Sequence, residues 1–500
     1  MNSAALVILP GSLEPALATM LELLASPPEI SFDYLVPTGG SSELIFLEKI
    51  PLLVEGSALT PDAEAGDRPE FPTAASTREI FQLRGLAPSL AVEEPIVFVS
   101  ASPEKIVEPP RLGSNPIITT DPKDFEVLPL NQTANFPAGR NAAFDLIGLT
   151  ALRNDTRFAG LDGSGLSVAV IDTGINATHP ALVSNFRAFV DFLGSNNPSL
   201  VTNANLAFDT VGHGTHVSGT IGSTNPEIGI APQVDLLGLQ VFSSGGTANL
   251  FTVERALQWV LDNREEHNIV AVNLSLGGGL FASDSDPALR FNPLVDEVER
   301  LEAAGVTIVA AAGNSFASNS TPGLAAPAIF STLAVGAVYE DGSRSNVQFG
   351  GGARDFTTGT DRIASFSQRL DAPNFLFAPG AFINSTASGG GFAEQAGTSM
   401  AAPHVTGAVA LLQEAALEFG GRFLSTTEIS DILLTTGDRI FDGDDENDNV
   451  INTNTSFTRL NVFNAVEAVY DLFAQPEVDP LTGVEQIGNL LFAGSGREVF

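Results

Sequence analysis

The hydrophobic and polar positions change their spacing at about residue 140. Beyond that point, short runs that are almost wholly apolar alternate with segments whose apolar residues recur every three or four positions. The runs predicted to be strands are "LSVAVID", "VDLLGLQV", "NIVAVNLSL", "VTIVAAAGN" and "LAVGAV". Strands that are apolar throughout are typical of a parallel sheet covered by helices on both faces. The pattern therefore predicts a doubly wound α/β domain with a mostly parallel sheet, in which ligands bind where strands end in loops.

Residues 1–139 lack this regular alternation. A helix is predicted near residues 13–24 and a strand within "SELIFLEKI", but Pro-rich and acidic segments such as "LTPDAEAGDRPEFPTAAS" separate them. A less regular region of this kind is consistent with a prosegment, an accessory segment or a partly ordered linker. The pattern thus predicts an N-terminal region at 1–139, an α/β domain at 140–473 and a C-terminal tail at 474–500.

Composition limits the classes of partner. The 59 acidic residues outnumber the 23 basic ones and give a formal net charge of −36, so the surface repels phosphate groups and anionic lipids. Nucleic acid is therefore not expected as a partner. No stretch approaches the roughly 18 apolar residues of a membrane span, so membrane insertion is not expected. The protein is expected to be a monomer. The chain contains no cysteine, which excludes disulfides, thiolate metal sites and a cysteine nucleophile.

The N-terminal sequence does not predict a secretory or transit peptide. No Lys or Arg precedes Lys49, and the first apolar run, "AALVIL", is too short for a signal-peptide core. The final "GREVF" resembles the tail of some proteins that Gram-negative bacteria export in one step, although a frayed terminus is the favoured explanation. We expect secretion by a route independent of a signal peptide, with a cytoplasmic location as the alternative.

The apolar run that ends in Asp-Thr-Gly, "VAVIDTGIN", fits two kinds of protease. In an aspartic protease, two carboxylates lie close enough to share a proton. The chain has one Asp-Thr-Gly and no second Asp-Thr/Ser-Gly, so this chemistry would require a homodimer of a half-size unit. A 500-residue α/β chain is a poor candidate for that arrangement. The other interpretation is a Ser-His-Asp triad, which needs a histidine and a serine elsewhere in the chain.

Both residues are present downstream of Asp172. "DTVGHGTHVSGTIG" places His213 between two glycines, and "GTSMAAPHVTGAVALL" places Ser399 at the start of a predicted helix, with Pro403 expected in its first turn. Together with "VIDTG", these motifs resemble those of the subtilisin-like serine proteases, in the chain order Asp, His, Ser. The resemblance covers about residues 142–473. It implies that Asp172 orients His213, that His213 acts as general base and then acid, and that Ser399 attacks the peptide carbonyl.

The resemblance extends to groups that would bind the substrate. "VAAAGNS" contains Asn314, which matches the family asparagine whose side-chain amide stabilises the oxyanion together with the Ser399 N–H. Substrate is expected to bind as an extra strand. "TPGLAAPAIF" is expected to line the main specificity pocket, and its small uncharged residues favour apolar or bulky neutral side chains over basic ones. The backbone contacts that the resemblance implies are Ser275, Leu276, Gly277 and Gly245.

Among the five histidines, the resemblance gives a catalytic role to His213 alone. His216 and His404 are expected in the core, while His179 and His267 are expected near the surface. No pair of histidines has convincing zinc spacing.

The acidic segment "FDGDDENDNVIN" is a candidate calcium site or a solvated acidic loop before the last helix. It lacks the sixth-position Gly and the twelfth-position Glu of an EF-hand. A Gly- and Arg-containing insertion at about 343–361 departs from the family pattern and has no predicted role. The chemistry itself is expected to need no cofactor. The candidate calcium ligands are Asp442, Asp444, Glu446 and Asp448.

The sequence thus predicts a serine endopeptidase that acts on protein or peptide substrates through an acyl-enzyme intermediate. The alternative is a catalytically silent protein that keeps the fold for binding or scaffolding. A third interpretation is a zymogen that residues 1–139 keep inactive.

Overall fold

The computed structural model describes residues 6–10, 96–100, 118–119, 142–194, 198–244, 246–290, 292–443, 445–474, 477–478 and 485–486. The chain separates into two compact units, Met1–Gly113 and Ser114–Phe500. The helix predicted near residues 13–24 and the strand within "SELIFLEKI" lie outside the described residues, as does the predicted boundary at 139/140. The predicted division into three regions stays a prediction.

The strands of the described residues are, in chain order, β1 Leu6–Pro10, β2 Ile96–Ser100, β3 Ile118–Thr119, β4 Ser167–Asp172, β5 Phe186–Asp191, β6 Leu200–Val201, β7 Asp235–Gln240, β8 Thr247–Ala248, β9 Ile269–Leu274, β10 Gly278–Phe281, β11 Thr307–Ala311, β12 Leu324–Ala326, β13 Leu333–Tyr339, β14 Ser345–Gln348, β15 Arg354–Thr357, β16 Phe375–Ala381, β17 Ile383–Thr386, β18 Phe392–Gln395, β19 Asp438–Phe441, β20 Ser456–Arg459, β21 Glu477–Val478 and β22 Glu485–Gln486. The α-helices are α1 Ala142–Leu146, α2 Leu149–Asn154, α3 His213–Gly222, α4 Leu250–His267, α5 Val295–Ala303, α6 Phe316–Asn319, α7 Thr398–Gly420, α8 Thr426–Thr436 and α9 Val462–Phe473.

In the first unit, β1 and β2 form an antiparallel pair with Leu6 opposite Ser100. A ten-stranded sheet organises the second unit, in the order β19–β20–β16–β13–β11–β9–β4–β7–β5–β6. Every neighbouring pair from β20 to β5 is parallel, and the edge strands β19 and β6 are antiparallel to their neighbours. This topology confirms the predicted doubly wound, mostly parallel sheet.

Helices cover both faces of the sheet because its strands are apolar on both sides. Successive side chains of a strand point to opposite faces, and in β4 Val168 and Val170 join one apolar core while Ala169 and Ile171 join the other. The first core includes side chains of α3, α7, α8 and α9, and the second includes side chains of α4 and α5. The long helix α7 is buried without interruption from Thr398 to Gln413, as its apolar composition predicts.

None of the helices in the described part of the chain is both long enough and apolar enough to cross a lipid bilayer.

Candidate active site

The strand order of the sheet reverses at β4. The chain adds β5 and β7 on one side of β4, and then β9, β11, β13 and β16 on the other. In doubly wound sheets such a point forms a crevice at the carboxyl ends of the strands. Asp172 is the last residue of β4, and its side chain is fully buried. The topology alone therefore puts this carboxylate where a ligand site is expected.

Asp172 holds the imidazole of His213. Its Oδ1 lies 2.7 Å from His213 Nδ1 and accepts a second hydrogen bond of 2.6 Å from the Thr173 N–H. Because a carboxylate only accepts hydrogen bonds, Nδ1 carries the proton of the neutral ring and Nε2 carries the lone pair. This tautomer allows Nε2 to act as a general base.

The close approach of α3 to β4 depends on glycine. A Cβ atom at Gly214 would collide with the carbonyl oxygen of Gly174 and lie 3.1 Å from the Cβ of Asp172. Gly212, just before His213, has a φ of 97°, which side chains other than glycine rarely adopt. The two glycines of "GHG" therefore let the histidine helix begin directly beside the aspartate.

A second buried carboxylate, Asp209, stabilises the start of α3. The N-cap residue Gly212 has no side chain, and Asp209 Oδ2 instead accepts hydrogen bonds from the Thr215 N–H at 2.9 Å and the Thr215 hydroxyl at 2.7 Å. Its Oδ1 accepts from the Gly212 N–H at 2.7 Å and the Thr173 hydroxyl at 2.9 Å. A negative charge at this position also complements the helix dipole. We did not predict this residue; a carboxylate four residues before the histidine was the available signal.

Ser399 is the second residue of α7 and is 6% exposed. Its hydroxyl donates to the carbonyl oxygen of Ser275, at 3.3 Å. Ser275 directly follows β9, the strand next to β4 in the sheet. The serine therefore lies beside the strand end that carries Asp172, and its backbone N–H lies at the positive end of a long helix.

A buried polar network holds the backbone of the serine helix. Pro403 is the sixth residue of α7, so the prediction that it lies in the first turn is wrong. In this position it lacks the N–H that would bond to the Ser399 carbonyl. The Ser275 hydroxyl supplies the missing donor at 2.7 Å, and it accepts in turn from Asn273 Nδ2 at 2.8 Å. Asn273 Oδ1 accepts from the Thr406 hydroxyl at 2.9 Å.

The amide of Asn314 has a defined orientation. Its oxygen accepts from the Thr398 N–H at 2.8 Å and from the Thr398 hydroxyl at 3.0 Å, which leaves Nδ2 as the donor facing away from these groups. Gly397 has a φ of 154°, and a Cβ atom there would lie 3.3 Å from Nδ2. Glycine at position 397 therefore keeps the space beside Asn314 Nδ2 open.

Comparison with known proteins identifies the family of this chain. Residues 163–458 match the model of the Subtilase family. The chain belongs to the subtilase family.

Relatives of this subtilase include Subtilisin NAT from Bacillus subtilis subsp. natto, which is 34% identical over 257 residues. That match covers 51% of this chain and 56% of the relative, so the chain spans only about half the length of such relatives. An alkaline protease from Alkalihalobacillus alcalophilus is 34% identical over 324 residues, covering 64% of this chain and 69% of the relative. A solved cold adapted subtilisin-like serine proteinase is 28% identical, with a TM-score of 0.43, and covers 61% of this chain and 90% of that one.

The substrate-binding residues predicted for the subtilase are partly described. Ser275, Leu276 and Gly277 follow β9 directly, next to Ser399, whereas Gly245 lies outside the described residues. The segment predicted to line the specificity pocket contains β12, which pairs with β10. The Ala325 methyl lies 2.9 Å from where a Cβ of Gly277 would be. The segment "TPGLAAPAIF" is thus beside the predicted backbone contacts.

Two other histidines of the subtilase are structural. Burial lowers the pKa of His216 to about 3 and that of His404 to about 4, so both rings are neutral near pH 7. His216 Nε2 donates to the Ile383 carbonyl at 2.9 Å, in agreement with a role in the core. The predicted surface positions of His179 and His267 are wrong, because their exposed fractions are 2% and 9%. His179 Nε2 bonds to the Gly391 carbonyl at 2.7 Å.

The candidate calcium ligand Asp442 has a different partner. It is fully buried and forms a 2.9 Å ion pair with the equally buried Arg369, while its other oxygen accepts from the Thr453 hydroxyl at 2.6 Å. Both oxygens therefore already accept hydrogen bonds from protein donors, and calcium binding by Asp442 stays a prediction.

Two other candidate calcium ligands also face the backbone. Glu446 accepts from the Gly443 N–H at 2.6 Å, and Asp448 accepts from the Val450 N–H at 2.9 Å. Within the described residues no group of three or more His, Cys, Asp or Glu could hold a metal ion, and Asp444 lies outside them.

Proposed function

We propose that this subtilase is a serine endopeptidase that hydrolyses protein or peptide substrates. The observation that carries the proposal is the 2.7 Å pair of Asp172 and His213 at the reversal point of the sheet, with Ser399 at the start of α7 beside the neighbouring strand. The family membership and the names of the relatives, subtilisins and alkaline proteases, support the same activity.

In the proposed reaction, Ser399 Oγ attacks the carbonyl carbon of the scissile bond while His213 Nε2 takes the hydroxyl proton. Asp172 stabilises the imidazolium that forms. The negative charge on the carbonyl oxygen is stabilised by Asn314 Nδ2 and the Ser399 N–H. His213 then gives the proton to the leaving amine, and water hydrolyses the acyl-enzyme by the same steps in reverse order.

The orientation of Asn314 supports its part in this mechanism. Two hydrogen bonds from Thr398 hold the amide before substrate arrives, so the donor requires no reorganisation in the transition state. Loss of such a donor lowers the rate by about 100- to 1000-fold, a value measured in subtilisin, which belongs to the same family. These protein groups supply nucleophile, base and electrophile, and we propose that the chemistry needs no cofactor.

The uncharged segment around Ala325 supports a preference for neutral over basic side chains on the acyl side of the scissile bond. A cleavage profile on a peptide library tests this preference, and a profile dominated by Lys or Arg would contradict it.

Labelling with a fluorophosphonate probe tests the activity, because the probe reacts with activated serines. We expect the full-length protein to be labelled and Ser399→Ala to remain unlabelled. Since we propose that the chemistry needs no cofactor, treatment with EDTA is expected to leave the labelling rate of the full-length protein unchanged. Absence of labelling in the wild type, together with absence of casein cleavage, would instead support a silent binding protein.

A further inference from the structure

The insertion at about 343–361, which had no predicted role, forms a hairpin that reaches the active site. Its strands β14 and β15 are antiparallel, with Val347 opposite Asp355. A short turn, Gly350–Gly352, forms the tip. We call residues 345–357 the site hairpin. Its location matters because Phe349 and Gly350, at the end of β14, approach the residues around the nucleophile.

Phe349 and Gly350 form one wall of a small pocket beside the oxyanion donor. The volume of this open pocket is about 10 Å³, which is room for about one water molecule. Three of the lining residues, Phe366, Ala396 and Gly397, are buried, whereas Asn314, Phe349 and Gly350 are half-buried, so the pocket opens between the hairpin tip and Asn314. The lining residues are Asn314, Phe349, Gly350, Phe366, Ala396 and Gly397.

The sheet order indicates which part of a substrate this pocket faces. Asn314 follows β11, which lies between β9 and β13. Ser275 and Gly277 follow β9, whereas the site hairpin follows β13, on the opposite side of Asn314. If the residues after β9 bind the acyl part of the substrate, the pocket faces the leaving amine.

The site hairpin is held at its tip and along β15. At the tip, the Ser318 hydroxyl donates to the Gly351 carbonyl at 3.0 Å. Along β15, the acidic segment continues the hydrogen bonding: the Phe356 N–H donates to the Asn447 carbonyl at 2.7 Å, and the Asn449 N–H to the Arg354 carbonyl at 3.0 Å. A wall anchored in this way excludes large groups instead of moving aside for them.

Aromatic packing also fixes Phe349. Its ring meets that of Phe366 edge to face at a centroid distance of 4.7 Å, and that of Phe382 at 5.7 Å. Such aromatic pairs add stability beyond the area they bury. The pocket is thus small, mostly apolar and rigid on the hairpin side.

We propose that this pocket receives the side chain of the residue that follows the scissile bond, and that Phe349 restricts that residue to a small side chain such as Gly or Ala. The proposal rests on the proposed protease function. Phe349 acts through the space it leaves to the substrate and takes no part in the chemistry.

The test compares two quenched fluorescent peptides that differ only after the scissile bond, with Ala in one and Phe in the other. Their parent is a peptide that the full-length protein cleaves at one bond, identified by mass spectrometry of a casein digest. Wild type is expected to favour the Ala peptide in kcat/KM by at least about 10-fold, since one methylene in a tight pocket already changes specificity by 10- to 200-fold. Phe349→Ala is expected to reduce this ratio at least about 5-fold, and Phe349→Leu by less.

The matched control is Phe356→Ala, because Phe356 lies on the same hairpin with 37% of its surface exposed, against Arg354 and away from the pocket lining. For this variant, the ratio of kcat/KM for the Ala peptide to kcat/KM for the Phe peptide is expected to equal that of wild type. A ratio that stays the same in both Phe349 variants, or kcat/KM values that fall equally for both peptides, would overturn the pocket assignment while leaving the protease function intact. No cleavage of casein and no fluorophosphonate labelling would overturn both.

Discussion

Replacement of Asp209 by Asn tests whether this buried carboxylate stabilises the helix that carries His213. Asp209 is 8% exposed, and its two oxygens accept five hydrogen bonds between them. Oδ1 accepts three of these hydrogen bonds and Oδ2 accepts two. The donors are the Thr173 hydroxyl, the backbone N–H groups of Val211, Gly212 and Thr215, and the Thr215 hydroxyl.

An asparagine can keep an oxygen on only one of these two sides. In the less costly orientation the oxygen faces the three donors, and the NH₂ group faces Thr215. The Thr215 hydroxyl can rotate, but its N–H loses its acceptor within the protein. One buried donor without a partner costs about 1–3 kcal/mol. The opposite orientation would leave two backbone N–H groups without acceptors, so it costs more. Asp209→Asn is therefore expected to lower the free energy of unfolding by about 2 kcal/mol.

Urea unfolding followed by circular dichroism measures this difference as a lower midpoint with an unchanged slope. The control is Asp191→Asn, which removes the same charge from a half-buried side chain whose Oδ1 accepts from the Leu193 N–H, a bond that Asn can keep. We expect a change of less than about 0.5 kcal/mol in the control. If Asp209→Asn and Asp191→Asn unfold at the same urea concentration, the reasoning about the unpaired Thr215 N–H is refuted.

Two further predictions concern the triad and the pH dependence of stability. Asp172→Ala removes the acceptor of His213 Nδ1, and the rate of fluorophosphonate labelling is expected to fall about 3 × 10⁴-fold, the loss in kcat measured for the triad aspartate of subtilisin; an unchanged rate would exclude this role. Burial, reinforced by the charge of Asp341, raises the pKa of Glu340 from 4.5 to about 7. Between these two pH values the folded protein keeps a proton that the unfolded chain releases, so the free energy of unfolding falls as the pH rises from 4.5 to about 7. Glu340→Gln is therefore expected to unfold at a higher urea concentration than wild type at pH 8, by about 1–3 kcal/mol, and to match it at pH 4; a gain of the same size at both pH values would contradict the assignment.

Much of the active site could be predicted from short local patterns. Asp172, His213, Ser399 and Asn314 each lie in a motif of a few residues at the end of a predicted strand or the start of a predicted helix. The alternation of apolar strands and helices predicted the parallel sheet because periodicity along the chain reflects burial on both faces.

The residues that the sequence did not reveal act across long separations. Asn273 and Thr406 are 133 residues apart, yet their hydrogen bond belongs to the network that holds the Ser399 carbonyl. Asp442 looked like a metal ligand in an acidic segment, but its partner Arg369 lies 73 residues earlier. A local acidic pattern cannot distinguish a calcium ligand from a buried ion pair, because both need a carboxylate and differ only in what faces it.

The sequence by itself determined the alternation of elements, the family motifs and the identity of the chemical groups, since these depend on neighbours within a few residues. Tertiary structure alone decided which distant residues contact those groups. Asp209 caps the His213 helix, and the Ser275 hydroxyl replaces the missing N–H of Pro403. The site hairpin brings Phe349 beside Asn314. The physical reason is that a parallel sheet collects the ends of strands distant in sequence at one edge, so the partners of each side chain are set by strand order and not by chain position.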